Sequence, residues 1–245
     1  MRYLILSDIH ANLQALDAVL ADAATLGYDE VLVLGDLVGY GGDPAAAMAR
    51  TLDLAPAAII RGNHDKVAAG IESAESFNDV ARASVDWTRT VLPAAALAQL
   101  AALPAGPARV GDQIEICHGA PFDEDYYIFD TNDASRAIDA ARARVCLYGH
   151  THIPAVFTLD DDRMTSAPGL ADDELRLPRE GPALVNVGSV GQPRDGDPRA
   201  AYGVIDTDHR TIRLRRIAYD LDAAQSRILD AGLPPWLAFR LGQGQ

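Results

Sequence analysis

Aspartate, histidine and asparagine side chains recur in five short polar motifs, each of which directly follows an apolar run. The motifs are Ser7-Asp8-Ile9-His10, Gly35-Asp36, Gly62-Asn63-His64-Asp65, His118-Gly119 and Gly149-His150-Thr151-His152. The runs before them are YLIL, VLVL, AII, IEIC and VCLY. Short apolar runs rich in β-branched residues are typical of buried strands. Because the strands of an α/β sheet bring their ends to one edge, these motifs are expected to form one site.

The side chains in the motifs are those that bind metal ions through oxygen and nitrogen. Asp8 and His10 flank a single residue, so on an extended strand end they point to the same side, and His150 and His152 repeat this arrangement. The candidate ligands are two aspartates, one asparagine and four histidines, without cysteine. Such a set favours Mn²⁺, iron, Co²⁺, Ni²⁺ or Zn²⁺ in an open catalytic site over a closed structural zinc site. It suits two ions that share a carboxylate, an arrangement used for in-line displacement at phosphorus.

The elements that position these motifs alternate between strand and helix in the first half of the chain. Their spacing predicts strands at 2–7, 30–34 and 57–61 with helices at 13–26 and 43–54. This order is typical of parallel strands joined by right-handed crossovers. The second half is richer in consecutive strands, so we expect an α/β fold with two sheets packed face to face and helices outside.

The chain is expected to form a single domain over residues 1–245. Within it, residues 160–180 are predicted to be a variable loop or an exposed hairpin, and residues 233–245 a tail. Cys117 and Cys146 are expected to be buried free thiols.

The formal net charge of −14 disfavours duplex nucleic acid and anionic membranes as partners. No stretch approaches the ~18 apolar residues of a membrane span, and the N-terminal apolar run is too short for a signal peptide. We therefore expect a cytoplasmic protein with a small-molecule substrate. The oligomeric state is left open.

Taken together and in this order, the motifs D-x-H, G-D, G-N-H-D, H-G and G-H-T-H resemble the calcineurin-like metallophosphoesterase superfamily. Asn186–Ser189 (N-x-G-S) is a weaker match to the same superfamily, and the segments VLGDLVGYG and NVGSVGQPRDGD look like its small bacterial and archaeal phosphodiesterase branch. This resemblance implies a four-layer α/β/β/α sandwich of two mixed sheets. It also implies two divalent ions, with Mn²⁺ favoured. The first ion would be held by Asp8, His10, Asp36 and His152. The second would be held by Asp36, Asn63, His118 and His150, with Asp36 as the bridge.

The same resemblance implies the catalytic roles. A hydroxide that bridges the two ions would attack phosphorus in line. His64 would lie beside the substrate and stabilise or protonate the leaving-group oxygen. Asp65 would orient the His64 imidazole.

Several further residues have two interpretations. Asn12 either caps a helix or faces the substrate phosphate. Arg194 is either a turn residue or a phosphate ligand, because arginine binds phosphate through two N–H groups. Arg61 is expected to pair with a carboxylate, and the run 123–125 to be a solvated acidic loop. Three aromatic residues after His118 either pack or line the pocket: Tyr126, Tyr127 and Phe129.

The preferred function is a phosphodiesterase acting on small nucleotide-type or other diesters. The alternative is a phosphomonoesterase, either a protein phosphatase or a dinucleoside polyphosphate hydrolase. A non-catalytic scaffold on the same fold ranks low, because such a protein would have lost His64 or Asp36, and both are present.

Overall fold

The computed structural model describes residues 1–160, 163–168 and 174–245 of the chain. These residues contain twelve strands: β1 (Arg2–Leu6), β2 (Glu30–Val33), β3 (Ala58–Ile59), β4 (Ala108–Val110), β5 (Ile114–Ile116), β6 (Val145–Tyr148), β7 (Ala155–Asp160), β8 (Arg163–Pro168), β9 (Glu174–Arg176), β10 (Ala183–Asn186), β11 (Ala200–Asp206) and β12 (Thr211–Ile217). They also contain eight α-helices: α1 (Leu13–Leu26), α2 (Pro44–Leu52), α3 (Asn63–Ala68), α4 (Asp79–Val91), α5 (Ala94–Ala102), α6 (Thr131–Ala140), α7 (Leu221–Asp230) and α8 (Pro235–Leu241).

The strands form two mixed six-stranded sheets. The first has the order β3-β2-β1-β11-β12-β9 and the second β4-β5-β6-β10-β7-β8. Strands β1, β2 and β3 are parallel, as are β5, β6 and β10, and the remaining neighbours are antiparallel. The parallel pairs β1/β2, β2/β3 and β5/β6 are each joined by a helical crossover, whereas β6 and β10 are joined through the strands β7, β8 and β9.

Three buried apolar clusters separate four layers. Leu6 of β1 and Leu16 of α1 belong to the cluster between the first sheet and its helices. Ile5 and Val185 belong to the cluster between the two sheets. Ala137 of α6 belongs to the cluster outside the second sheet. Alternate residues of β1 thus face different layers, as strand geometry requires, and the predicted four-layer α/β/β/α sandwich is confirmed.

The two sheets meet where their parallel strands end. The backbone N–H of Val190 donates to the carbonyl oxygen of Ser7 at 3.0 Å. The backbone N–H of His150 lies 3.2 Å from both carboxylate oxygens of Asp8. The loops after β1 and β2 therefore lie directly against those after β6 and β10.

The structure differs from the predicted elements in two places near this edge. The motif residues Asn63–Asp65, which follow the predicted strand 57–61, form the first turn of α3, where the Asp65 carboxylate accepts a 3.0 Å hydrogen bond from the N–H of Gly62. The predicted tail contains α8, whose Leu237 and Leu241 are buried in one cluster with residues of α7.

The predicted loop or hairpin at 160–180 falls partly outside the described residues. Its described part includes β8, which pairs with β7 as a hairpin, and β9, which joins the edge of the first sheet. Cys117 and Cys146 are buried free thiols with their sulfur atoms 3.5 Å apart, as expected. Among the described residues, no helix has the length and apolar character needed to cross a membrane.

Candidate metal centre

Several predicted ligands are held in a backbone conformation that residues with a side chain rarely adopt. Five of them have φ between 47° and 65°: Asp8, His10, Asp36, His150 and His152. Left-handed backbone at non-glycine residues costs free energy and is concentrated at functional sites. Here the left-handed conformation turns the backbone sharply after each strand, at the edge of the sheet where the ligand atoms lie.

The first group of side chains surrounds one point at this edge. The ligand atoms of Asp8, His10, Asp36 and His152 all lie within 4.8 Å of one another, and all four residues are buried. Nε2 of His152 lies 3.3 Å from Oδ1 of Asp8, and Nε2 of His10 lies 3.5 Å from Oδ2 of Asp36. These four residues are the predicted ligands of the first ion.

The second group shares Asp36 with the first. Asp36, His118 and His150 bring their ligand atoms within 4.8 Å of one another. Nε2 of His118 lies 3.4 Å from Oδ2 of Asp36 and 3.2 Å from Oδ1 of Asn63. The structure therefore brings the predicted ligands together in the two predicted groups, with Oδ2 of Asp36 between them.

Backbone carbonyl groups fix the orientation of the imidazole rings. Nδ1 of His10 donates to Val38, Nδ1 of His118 to Leu34 and Nδ1 of His152 to Gln192, at 3.0, 2.8 and 2.6 Å. A carbonyl oxygen only accepts, so each Nδ1 carries the proton. This leaves Nε2 of each neutral ring with a free lone pair, as in histidines that bind metal.

His150 is oriented the other way round. Its Nε2 donates to the carbonyl oxygen of Asp125 at 3.0 Å, which leaves Nδ1 as the free ligand atom. The four histidines thus all present an unprotonated nitrogen to the site when neutral.

A cation fits this arrangement of donors. Nε2 of His10 and Nε2 of His152 lie 3.0 Å apart, and both Nδ1 atoms are occupied by carbonyl groups. Two lone pairs at this distance repel unless a positive charge lies between them. Because oxygen and imidazole ligands suit first-row divalent ions, the donor set fits such a metal.

The charge of Asp36 governs protonation in the second group. Burial lowers the pKa of His118, but the charge and hydrogen bond of Asp36 outweigh it and raise that pKa to about 10. Burial lowers the pKa of His10 well below its usual value. Without a cation, His118 is therefore the ligand that carries a proton at neutral pH.

The segment Asn186–Ser189, the weaker motif match, is hydrogen-bonded to two of the loops that carry the candidate ligands. The amide of Asn186 donates to Gly149 O at 2.8 Å and to Thr151 Oγ1 at 3.0 Å. The hydroxyl of Ser189 donates to the carbonyl oxygen of Asp8 at 2.8 Å. The N-x-G-S segment thus fixes the backbone on both sides of the site.

His64 lies in the cleft next to the two groups of candidate ligands. Its backbone N–H donates to Oδ1 of Asp36 at 2.9 Å, and its ring lies 4.3 Å from the ring of Tyr40. Its Nδ1 is buried and has no hydrogen-bond partner among the described residues. Burial lowers the pKa of His64 to about 4, so the ring is neutral at pH 7.

The prediction that Asp65 orients this ring is wrong. The buried Asp65 carboxylate accepts instead from the backbone N–H groups of Leu37, Val38 and Gly62, at 2.9, 3.2 and 3.0 Å. Asp65 therefore joins the loop after β2 to the start of α3, and it positions Asp36 and His64 only through the backbone.

Sequence reasoning missed Gly39, which makes room for His64. A Cβ atom at Gly39 would lie 2.4 Å from Nδ1 of His64, and φ of Gly39 is +89°. Both the conformation and the close approach require glycine. The Gly-rich turn LVGYGG after Asp36 was the available signal.

Asn12 has one of its two interpreted roles in this structure. Its Oδ1 accepts from the N–H of Ala15 at 3.0 Å, which caps α1, and its Nδ2 donates to Gly191 O at 2.9 Å. The helix cap is confirmed, and the substrate contact stays a prediction.

Arg194 does line that cleft, an open space of about 390 Å³. Tyr127 lines it too and stacks on the His150 ring at a centroid distance of 3.8 Å. The other two aromatic residues have different surroundings. The hydroxyl of Tyr126 donates to Asp133, and Phe129 is exposed.

The run 123–125 is only partly the solvated acidic loop that was expected, since Asp123 is exposed but Glu124 and Asp125 form ion pairs. Glu124 accepts two hydrogen bonds from the Arg61 guanidinium, at 3.2 and 3.0 Å, which confirms the expected pairing of Arg61. Lys66, a residue that the sequence reasoning missed, lies 3.3 Å from Glu124 and 2.5 Å from Asp125. These two cations offset the acidic charge beside the second metal group.

Comparisons with known proteins agree with this geometry. A profile of the calcineurin-like phosphoesterase superfamily domain matches residues 1–210. The chain is 33% identical to an uncharacterized protein of Methanocaldococcus jannaschii over 98% of this chain and 97% of that one. It is 36% identical to a metallophosphoesterase from Sphaerobacter thermophilus, whose crystal structure matches with a TM-score of 0.90 over 100% of this chain and 99% of that one.

A hypothetical protein from Pyrococcus horikoshii shares the fold with a TM-score of 0.82, at 19% identity over 100% of this chain and 98% of that one. The profile match spans the five motifs, and the relatives match along the whole length. The chain therefore belongs to the calcineurin-like phosphoesterase superfamily and is a metal-dependent phosphoesterase.

Proposed function

We propose that this phosphoesterase uses two divalent ions, Mn²⁺ by preference, to hydrolyse small phosphodiesters of the nucleotide type. The observation that carries the proposal is the position of Asp36, which belongs to both groups of ligand atoms. Two ions held there would polarise the phosphoryl oxygens and supply a water-derived nucleophile at neutral pH.

The residues of the chain would hold these ions as the two groups suggest. Asp8, His10 and His152 would complete the first set, and Asn63, His118 and His150 the second. The backbone carbonyl groups at each imidazole keep the ligand nitrogens aimed at the ions. Because the ligands belong to loops fixed by Asp65 and Asn186, little reorganisation is needed on binding.

The shape of the cleft supports a diester. Beside Asn63 and His150 the cleft has two lobes, which share Phe77 and Tyr127. One lobe extends towards Arg194 and the other towards Lys66. A phosphate held at the metal ligands would have room for one substituent in each lobe.

His64 would act on the leaving-group oxygen. Its pKa is lowered by burial, and nearby cations would lower it further, so the ring is neutral at pH 7. A neutral imidazole stabilises the developing charge by donating a hydrogen bond from its N–H group. This favours stabilisation of the leaving group over full proton transfer from an imidazolium.

A phosphomonoesterase is the second candidate. Arg194 favours it, because a guanidinium in the cleft would suit the additional negative charge of a monoester. A protein phosphatase or a dinucleoside polyphosphate hydrolase would be examples.

The test is the hydrolysis of bis-p-nitrophenyl phosphate and of p-nitrophenyl phosphate by the Mn²⁺-loaded protein. The two substrates release the same chromophore and differ in the second ester group. The proposal expects a higher kcat/KM for the diester. A higher kcat/KM for the monoester would overturn the diester assignment in favour of the second candidate.

A further inference from the structure

Two arginines approach the same aromatic ring at the edge of the cleft. The Cζ atoms of Arg194 and Arg240 lie 5.6 and 5.9 Å from the centroid of the Tyr40 ring. That ring in turn lies 4.7 Å from the ring of His10 and 4.3 Å from that of His64. Two positive charges are thus placed beside the proposed reaction centre.

Arg240 belongs to a part of the chain that the superfamily profile does not match. It lies on α8, whereas the match ends at residue 210. The segment after α8 is anchored, because the N–H of Gly196 donates to the carbonyl oxygen of Gly244 at 2.9 Å. The C-terminal segment is thereby attached to the loop that carries Arg194.

Neither guanidinium forms an ion pair with an Asp or Glu side chain among the described residues. Nε and Nη2 of Arg194 donate to the amide oxygen of Gln192 at 3.3 and 3.0 Å. Nε of Arg240 donates to the backbone oxygen of Gln245, the last residue of the sequence, at 2.5 Å. By contrast, other arginines such as Arg61 and Arg227 pair with Glu or Asp side chains. In a chain of formal charge −14, two half-buried arginines side by side without an Asp or Glu partner need an explanation.

The surroundings of these arginines hold them in place. Tyr40 and Tyr127 line the same cleft as Arg194. Contact with an aromatic face keeps a guanidinium oriented while its N–H groups remain free. The repulsion between the two cations is relieved when an anion lies between them.

We propose that Arg194 and Arg240 form an anion-binding subsite that takes a second phosphate group of the substrate. The inference rests on the proposed function, since it names the substrate class: phosphoesters that carry a further phosphate besides the one hydrolysed. Two guanidinium groups match the charge and the oxygen pairs of a phosphate dianion. This second phosphate is either the one on the other side of the sugar in a nucleoside bisphosphate, or the one joined directly to the hydrolysed phosphate in a polyphosphate.

The experiment compares esters that differ only in the second phosphate. The reference is the p-nitrophenyl ester of thymidine 5′-phosphate. One arm adds a 3′-phosphate to it, and the other uses the p-nitrophenyl ester of thymidine 5′-diphosphate. The Mn²⁺-loaded protein is expected to prefer at least one of these over the reference by about tenfold in kcat/KM, the effect of one charge-assisted contact. The ester with the higher kcat/KM shows whether the subsite takes the phosphate of a bisphosphate or that of a polyphosphate.

Arg240→Gln should reduce this preference towards unity, and Arg240→Lys should restore part of it. Arg227→Gln is the matched control, because Arg227 lies on the neighbouring helix and pairs with Asp43. It removes one positive charge outside the cleft and should leave the preference as in the wild type. Equal kcat/KM for all three esters in the wild type, or an unchanged preference in Arg240→Gln, would overturn the subsite.

Binding separates this inference from the proposed function. Calorimetry should show that the metal-free protein binds thymidine 3′,5′-bisphosphate more tightly than thymidine 5′-phosphate, and that Arg240→Gln does not. If the wild type hydrolyses none of the esters, the proposed function fails and this affinity difference still decides the subsite. If it hydrolyses all three alike and binds both nucleotides alike, the subsite fails and the proposed function stands.

Discussion

The backbone N–H of His64 donates a 2.9 Å hydrogen bond to Oδ1 of Asp36. This bond fixes the carboxylate so that its other oxygen, Oδ2, lies 3.5 Å from Nε2 of His10 and 3.4 Å from Nε2 of His118. The residue proposed to act on the leaving group therefore orients the carboxylate proposed to join the two metal sites. The proposed catalytic residue and the proposed metal sites are thus linked through the side chain of Asp36.

Asp36→Asn should remove metal as well as activity. The substitution replaces one carboxylate oxygen with an amide N–H₂ group, which cannot serve as a metal ligand, and it removes the charge that both groups share. We expect the Mn²⁺ content of the purified protein, measured by elemental analysis, to fall in parallel with diester hydrolysis. Asp17→Asn is the control, since Asp17 is an exposed residue paired with Arg50. A variant that kept two ions and full activity would contradict the shared ligand.

His64→Ala should separate catalysis from metal binding. Loss of a group that acts on the leaving oxygen is expected to reduce kcat by ~10²–10⁴-fold. The metal content should remain near that of the wild type, because only the backbone N–H of His64 contacts Asp36. His209→Ala, at an exposed turn, serves as the matched control. Loss of the ions along with activity would show that the His64 side chain is needed for metal binding.

Gly39→Ala should impair the enzyme through His64. The added Cβ would lie 2.4 Å from Nδ1 of His64, so the ring must move. We expect kcat to fall while the Mn²⁺ content is kept. Gly111→Ala is a close control, because Gly111 also has positive φ and a Cβ there meets nothing within 4 Å. If both substitutions affected kcat equally, backbone strain and not displacement of His64 would be the cause.

Metal affinity should rise with pH in the neutral range. Asp36 raises the pKa of His118 to about 10, so the cation-free protein holds this proton at pH 7 and a metal ion must displace it. The affinity for Mn²⁺ is expected to increase about tenfold per pH unit while one proton is released. Calorimetry in two buffers of different ionisation enthalpy measures that release. An affinity that is constant between pH 6.5 and 8 would mean that His118 is already neutral.

The same raised pKa has a defined effect on the stability of the cation-free fold. The protonated His118 beside Asp36 stabilises that fold fully below pH 6.5, the usual histidine value. This contribution decreases above pH 6.5 and is lost as the pH rises through about 10. Bound metal replaces it by neutralising Asp36 directly.

The sequence was sufficient to predict the parallel strands of the first half and the candidate ligand side chains at their ends, because both are local patterns. An apolar run that ends at Gly-Asp or Gly-His specifies a strand and the turn after it. Asp65 shows where such patterns fail. Its neighbour in sequence is His64, but its carboxylate is satisfied by N–H groups of the loop 28 residues earlier, which only the tertiary fold brings near.

Arg240 is a second example. It lies two hundred residues after Tyr40 in sequence, and no motif marks it. Its position depends on the burial of Leu237 and Leu241, which packs α8 against α7. A segment that is predicted as a tail therefore brings a guanidinium to 5.9 Å from the Tyr40 ring, which lines the cleft.

The measurement that tests the central claim most directly is a titration of the metal-free protein with Mn²⁺, followed by hydrolysis of bis-p-nitrophenyl phosphate. A centre in which Asp36 joins two sets of ligands predicts that activity rises until two ions are bound per chain and then stays constant. Full activity at one ion per chain, with no further binding, would contradict the two-metal centre.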